Sequence, residues 1–600
     1  MKAGQPVYNP ENQNVVRLLS SPAAPLSSIE PSQTPPHDLP VRTASYSLTE
    51  TNVLHDLHSA LSTMQDLYFS VWLGKYTTAI DWTAAVMSTY VSATLSSLSN
   101  SLSYTMPGTF DKSRKLDVEA QMVENEINKY FAQTTAYYFG EEHFAIRMQA
   151  FDDMLWVVLG WLEATNFIEG HSVGHYTPDN TGGKEWHARQ FIPAFAHRAR
   201  VFYELAEKGW DWRLCGGGMT WNPRLLPYKN AVTNQLFISA SIGMYLHFQG
   251  DDNCSPFLSQ HDGSGPRLSQ LYDDCDKGHQ GRYDPVYLAN AINGYEWLKN
   301  INMTNDQGLY VDGFHIGGYR TNHSKTTCDE RNEMVYTYNQ GILLSGLRGL
   351  WEASGKTSYL EDGHELIRNV IRATGWVKSQ QHPSKGSEGE KEALPNDWAG
   401  LGYSGILTEL CDPSGRCSQD GQTFKGIFFH HLTSFCQPLP SRPTRPGKTH
   451  AATRATAMLH ANSCKEYTAW VVHNAQAALR TRDQKGRFGA WWGAPNPSFQ
   501  HHQESALLHP RPVLPENAID YRNLFTNPYD GLYTEGDSKD TSAWLVSNED
   551  VENEMTRRSG GDLNDRGRGR TIETQGSGLA VVRAMWEFLR RAQGAEGSLV

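Results

Sequence analysis

The chain has 600 residues, 39% of them hydrophobic and 20% charged, a balance that excludes a wholly disordered protein and leaves room for a large core. Its formal net charge of −12 is spread without a long basic run, so the electrostatic footprint of a nucleic-acid binder is missing. Aromatic residues reach 11%, which suits a dense core or a cleft that stacks on sugar rings.

Residues 1–45 are rich in Pro, Ser and Asn and read as a flexible arm. The first residues show no apolar leader with a cleavage site, and no apolar window along the chain is long enough for a membrane span. From about residue 46 to 595 the pattern predicts one domain. Apolar residues recur at helical spacing near 50–75, 78–103, 118–139, 143–165, 191–208, 229–249, 284–300, 334–353, 358–374, 423–436, 450–482 and 574–592. Two stretches, 308–317 and 404–424, alternate and carry turn dipeptides, which predicts small β-hairpins. The polar or Pro/Gly-rich segments 377–396 and 494–570 are predicted insertions at one mouth of the fold. Twelve helices without a fixed repeat favour six hairpins closed into an (α/α)6 barrel over an open solenoid.

Eight cysteines, at 215, 254, 275, 328, 411, 417, 436 and 464, include no CxxC pair. Disulfides are the expectation, with buried free thiols as the alternative. Cys411 and Cys417 flank a turn and form the easiest local pair. Asn253, Asn302 and Asn322 stand in glycan-acceptor triplets.

The most informative stretch is AIRMQAFDDMLWVVLGWLEA, residues 145–164, in which Met154 through Leu162 are apolar on nearly every side of a helix. Two acids beside such a run, Asp152 and Asp153, are costly unless paired or facing a wet cavity. They could merely cap a helix start, but Ala145–Ala150 also reads as helix, which places them inside the element. The functional reading is a glycosidase pair, one carboxyl protonating the leaving oxygen and the other attacking the sugar or activating water. Adjacent carboxyls should also titrate apart, one ionised and one protonated near neutrality.

Other segments have the character of a cleft wall. Cys215-Gly-Gly-Gly-Met-Thr-Trp221 lets the backbone turn sharply and ends on an indole, although a plain turn reads equally well. Tyr228, Lys229, Asn230 and Asn234 stand at a helix start, where amides bind sugar hydroxyls or simply cap. Tyr336-Thr-Tyr338-Asn339-Gln340-Gly341 opens a helix with an uninterrupted polar and aromatic set. Asp312, Lys425 and the pair Trp491-Trp492 are further candidates. The sequence lacks HExxH, GxSxG and a complete P-loop.

Taken together, the segments FDDMLW, CGGGMTW, YKNAVTN, YTYNQG, FKGIFFHHL and FGAWWG resemble glycoside hydrolase family 76, in the family's order, from about residue 50 to 592. The resemblance is to fungal members. It implies an all-α (α/α)6 barrel and retaining endo-action on α-1,6-mannan, with Asp152 as nucleophile and Asp153 as acid/base. Trp221, Asn230, Asp312, Tyr338, Asn339, Gln340 and Lys425 are the expected sugar-binding residues. The implied chemistry requires no cofactor and no metal. A monomer acting on α-mannan, secreted or bound to the cell wall, is the expectation. A wall transglycosylase of the same family and a non-catalytic mannan-binding protein are the alternatives.

Overall fold

The computed structural model describes residues 50–106, 116, 118–137, 149–177, 185–251, 281–376, 398–495, 512, 514–523 and 562–597. The predicted arm at 1–45, the insertion at 377–396, Asn253, Cys254 and Cys275 lie outside them. Twelve α-helices are present among the described residues: α1 Glu50–Tyr68, α2 Asp81–Asn100, α3 Val118–Ala136, α4 Phe151–His175, α5 Ile192–Glu207, α6 Ala231–His247, α7 Pro285–Asn300, α8 Tyr338–Ser354, α9 Ser358–Ala373, α10 Gln419–Phe435, α11 Arg454–Arg480 and α12 Ile572–Gly597.

The helices sort into two rings by composition. In α6 every residue from Ala231 to Ile242 is buried, as expected of a helix with neighbours on all sides. In α9, by contrast, Tyr359, Leu360, Gly363, Leu366, Ile367, Val370 and Ala373 make one buried stripe, the pattern of a helix with one wet face. The even-numbered helices form the inner ring: α2 packs on α4, α4 on α6, α6 on α8, α8 on α10, α10 on α12, and α12 back on α2. The odd-numbered helices lie outside, α1 and α11 against α12, α3 against α2, α5 against α4, α7 against α6 and α9 against α8. This is the (α/α)6 barrel that the periodicity predicts.

Glycines set the inner spacing. A Cβ on Gly341 of α8 would stand 2.4 Å from the Phe428 Cα of α10, and one on Gly426 of α10 would stand 2.6 Å from the Ser577 Cα of α12. The N-termini of the inner helices gather at one mouth: Thr83 of α2 donates to Glu573 of α12 (2.8 Å), and Trp82 Nε1 donates to Asp420 Oδ1 of α10 (2.7 Å).

Two predicted features need correction. The segment 308–317 is not itself a hairpin. Its Gly313–His315 is β4, the middle strand of an antiparallel sheet in the order β3-β4-β5, between Tyr228–Asn230 (β3) and Glu330–Asn332 (β5). The sheet lies beside the mouth because β3 runs directly into α6. In 404–424 the strand signal is local: Gly402–Tyr403 pairs with Ile406–Leu407, and from Gln419 the chain is already α10, capped by Ser418. Two more two-residue strands, Phe69–Ser70 and Lys75–Tyr76, join α1 to α2.

Among the described residues three disulfides staple the loops: Cys215–Cys328, Cys411–Cys417 and Cys436–Cys464, with Cα separations of 5.2, 4.9 and 5.7 Å. The local Cys411–Cys417 pair is the one legible from spacing. No described helix is long and apolar enough to cross a membrane.

Candidate active site

The predicted start of α4 is corrected by the structure. Ala150 is extended (φ −74°, ψ 163°) and the helix begins at Phe151, so Asp152 and Asp153 occupy its first turn. The cause is tertiary: the Phe151 N–H donates to the Trp221 carbonyl (2.9 Å), which diverts the chain from helical hydrogen bonding at that point. Both acids do take up free N–H groups there. Asp153 Oδ2 accepts from the Ala150 N–H (3.1 Å) and Asp152 Oδ1 from the Asp153 N–H (3.2 Å). Capping and a site at the barrel mouth are therefore compatible, and the helix N-terminus favours negative charge there.

Asp152 is 3% exposed and Asp153 partly exposed. Burial pushes the Asp152 carboxyl up to about 6, with the Arg522 guanidinium pulling the other way. Burial also pushes Asp153 up strongly, and there the neighbouring Asp152 charge adds to the push. The cation sits on Asp152, so Asp153 is the member that keeps its proton as the pH rises.

Around the pair, aromatic rings and further acids converge from four inner helices and the sheet. Trp82 of α2 stacks on Trp156 of α4 (centroids 5.7 Å apart), and Tyr338 of α8 stacks on Phe424 of α10 at 3.9 Å and 8°. Tyr228 of β3 donates its hydroxyl to Asp312 Oδ2 (2.5 Å) and stacks on His315 of β4. Burial raises the Asp312 and Asp420 carboxyls, opposed in both cases by Arg522.

The predicted site residues divide into two groups. Asp152, Asp153, Trp221, Asp312, Tyr338 and Asn339 come together at this mouth. The Trp221 ring lies under the Arg522 guanidinium at 5.2 Å. The Asn339 carboxamide faces Asp312, yet neither of its polar atoms, nor Asp312 Oδ1, nor the Tyr338 hydroxyl makes a hydrogen bond of good geometry within the protein. Asn230, Gln340 and Lys425 are instead taken up by the frame. Asn230 caps α6 by accepting from the Thr233 N–H. Gln340 accepts from the Tyr310 N–H (2.8 Å) and donates to the carbonyls of Tyr310 and Tyr336. Lys425 forms a buried ion pair with Asp412, below the Trp492 ring. Lys229 likewise donates to the Gly218 carbonyl.

Sequence reasoning misses Arg522 and Asp420. Asp420 looks like an ordinary first-turn acid behind the Ser418 cap. Arg522 sits in an aperiodic stretch of the predicted insertion, where nothing local distinguishes it. Among the described residues two clusters hold metal-type donors, His364/His460/Cys464 and Cys411/Asp412/Cys417, but each cysteine in them is in a disulfide, and a thiolate ligand must be free.

A closed double ring of helices, with two adjacent carboxyls at one mouth, one buried and one partly exposed, and aromatic walls around them, defines a helical-barrel protein with a carboxyl pair at its mouth. Residues 281–496 match the family model described as glycosyl hydrolase family 76. The match takes in Asp312, Tyr338, Asn339, Gln340 and Lys425 and lies downstream of the Asp pair. Among curated relatives, a mannan endo-1,6-alpha-mannosidase of Saccharomyces cerevisiae is 23% identical over 249 residues, covering 40% of this chain and 39% of the relative. One of Candida glabrata is 21% identical over 255 residues, covering 41% and 42%. The chain thus matches about two fifths of the length of these relatives. Among solved structures, an alpha-1,6-mannanase from a Salegentibacter species is 15% identical, with 90% of this chain and 99% of that chain covered and a TM-score of 0.43. A family 76 mannosidase from Bacteroides thetaiotaomicron is 12% identical, with 90% and 100% covered and a TM-score of 0.46.

Proposed function

We propose that this protein is a retaining glycoside hydrolase that cleaves internal α-1,6-mannosidic bonds of mannan. The observation that carries the reading is the unequal pair at the start of α4. Asp152, beside a cation, is the carboxyl that ionises more readily; Asp153, beside a like charge, is the one that holds a proton. In the first step the Asp152 carboxylate attacks the anomeric carbon while the bond to the leaving sugar oxygen breaks and Asp153 gives that oxygen its proton. In the second, water attacks the anomeric carbon, loses a proton to Asp153 and releases Asp152, so two inversions give net retention. The polar atoms of Asp312, Tyr338 and Asn339 that make no well-formed hydrogen bond within the protein are groups that sugar hydroxyls would satisfy, and the partly exposed Trp82 and Trp221 offer faces to a sugar ring. The match of residues 281–496 to the family model and the names of the curated relatives point to mannan as the polymer.

The three disulfides among the described residues support an oxidising, extracellular setting, and the acceptor side chains Asn302 and Asn322 are exposed, as glycan acceptors must be.

The test is to incubate the protein with linear α-1,6-linked manno-oligosaccharides and follow products by mass spectrometry and anomeric NMR. Shorter α-anomeric products are expected, with Asp152→Asn and Asp153→Asn each losing turnover while staying folded. Products of β configuration would overturn retention. Longer products would reassign the protein as a transglycosylase whose mannosyl intermediate passes to a sugar acceptor, and binding without any product would make it a mannan-binding protein.

A further inference from the structure

The segment 514–523 crosses the mouth and is fastened there residue by residue. Ile519 is clasped by the Asn332 carboxamide of β5, which donates to its carbonyl (2.9 Å) and accepts from its N–H (2.8 Å). The Tyr336 hydroxyl donates to Asp520 Oδ1 (2.7 Å), and the Arg522 N–H donates back to that hydroxyl (3.3 Å). Tyr521 meets His315 of β4 through its hydroxyl (3.0 Å). Asn523 Oδ1 accepts from the N–H and the hydroxyl of Ser418, the cap of α10 (3.0 and 3.3 Å). Asp520 accepts in turn from the Asn523 amide (3.0 Å). Two β-strands, the approach to α8 and the cap of α10 therefore hold one short strap.

What this fastening fixes is Arg522. Its guanidinium lies over Trp221 and its Nη2 stands 3.5 Å from Asp152 Oδ2. Among the described residues its ion pair is with Asp152 and not with Asp153. The strap therefore treats two adjacent carboxyls differently. A planar, permanently charged group anchored on an indole is the side chain best suited to orient a carboxylate.

We infer that the 514–523 strap is a built part of the site whose purpose is to hold Arg522 against Asp152, with Arg522 as the positioning residue that keeps that carboxyl ionised and aimed. This rests on the reading of Asp152 as the nucleophile. The groups that face Arg522 are Asp152 and, more weakly, Asp153 of α4, Tyr338 of α8, Asp420 of α10 and Asp312 ahead of β4. Four of these five are acids, so the charge of Arg522 is shared. Its separation from Asp152 exceeds that of a tight charge-assisted hydrogen bond, which leaves slack for the contact to shorten when the substrate is bound.

The test uses the full chain and an electrophilic mannose analogue, an epoxide, that esterifies an ionised carboxylate by ring opening. The labelled residue and the labelling rate are read by peptide mass spectrometry from pH 4 to 8. The ester is expected on Asp152. In Arg522→Met the acid limb of the labelling profile is expected to move to higher pH by about one unit, because a carboxyl without its cation ionises less readily. The labelling rate at pH 5 should accordingly fall roughly tenfold. Arg522→Lys should restore part of the shift, and Tyr336→Phe, which loosens the strap with Arg522 intact, should move the limb in the same direction by less. A lowered melting temperature with an unmoved limb in these variants would make Arg522 a purely structural residue and overturn the inference. Label on a residue other than Asp152, or none on the wild type, would overturn the nucleophile reading and this inference with it. If Arg522→Met does not fold, Arg522→Lys and Tyr336→Phe still decide the matter.

Discussion

A carboxyl in the first turn of a helix is ordinarily a cap, and a carboxyl that is 3% exposed is ordinarily a liability; Asp152 is both. Its stability linkage follows from the direction of its shift. The folded state holds this group up to about 6 against an ordinary value of 3.8, so folding favours the protonated form. The stability it contributes is full below about pH 4 and is lost as the pH rises through 6. Asparagine resembles the protonated acid at every pH and can still accept from the Asp153 N–H. Asp152→Asn is therefore expected to be more stable than the wild type at pH 7, by ~1–3 kcal/mol, with the difference vanishing near pH 4. Thermal melts of both proteins at the two pH values measure this directly. A variant that loses activity and gains stability is the signature of a group held in place for chemistry.

At the scale of the element, the inner helices depend on where glycine permits contact. At Gly341 a methyl group would strike backbone of α10 at Phe428, which no side-chain rotation relieves. Gly170 of α4 has nothing within 4 Å of a built Cβ and is exposed. Gly341→Ala is expected to lower stability by ~1–3 kcal/mol through overpacking, and Gly170→Ala to raise it by roughly 0.5–1 kcal/mol through reduced backbone freedom in the unfolded chain. Denaturant midpoints compare the two. Both are a glycine within a helix in the sequence, and only the facing helix separates them. The same logic explains the strand at 313–315: alternation and turn residues announce an extended segment, but its partners lie at 228–230 and 330–332, too far along the chain for a local pattern to name them.

For the whole molecule, the ring must close between α12 and α2, the last and nearly the first of its helices, so a large loop-closure entropy opposes assembly. The Cys215–Cys328 bridge spans 113 residues and, by removing unfolded-state freedom, should contribute up to ~4 kcal/mol. The Cys411–Cys417 bridge spans 6 and should contribute far less. Replacing Cys215 and Cys328 by serine is expected to lower the urea midpoint markedly, and replacing Cys411 and Cys417 much less so.

The twelve helices were legible because each buries a stripe or a whole surface, and burial writes apolar residues at helical spacing into the chain. Asp152 and Asp153 were legible because two acids beside an all-apolar run have no cheap place to go. Whether Asn230, Gln340 and Lys425 faced sugar or frame was not legible, since an amide or ammonium has the same letter in either role and its partner decides. Arg522 was out of reach for a stronger reason. It meets Asp152 across 370 positions of sequence, from a segment without periodicity. Local physics, periodic burial and the cost of buried charge, determined the helices and the carboxyl pair. The start of α4, the partners of β4 and the cation beside Asp152 depend on contacts between distant segments, and these exist only once the ring has closed.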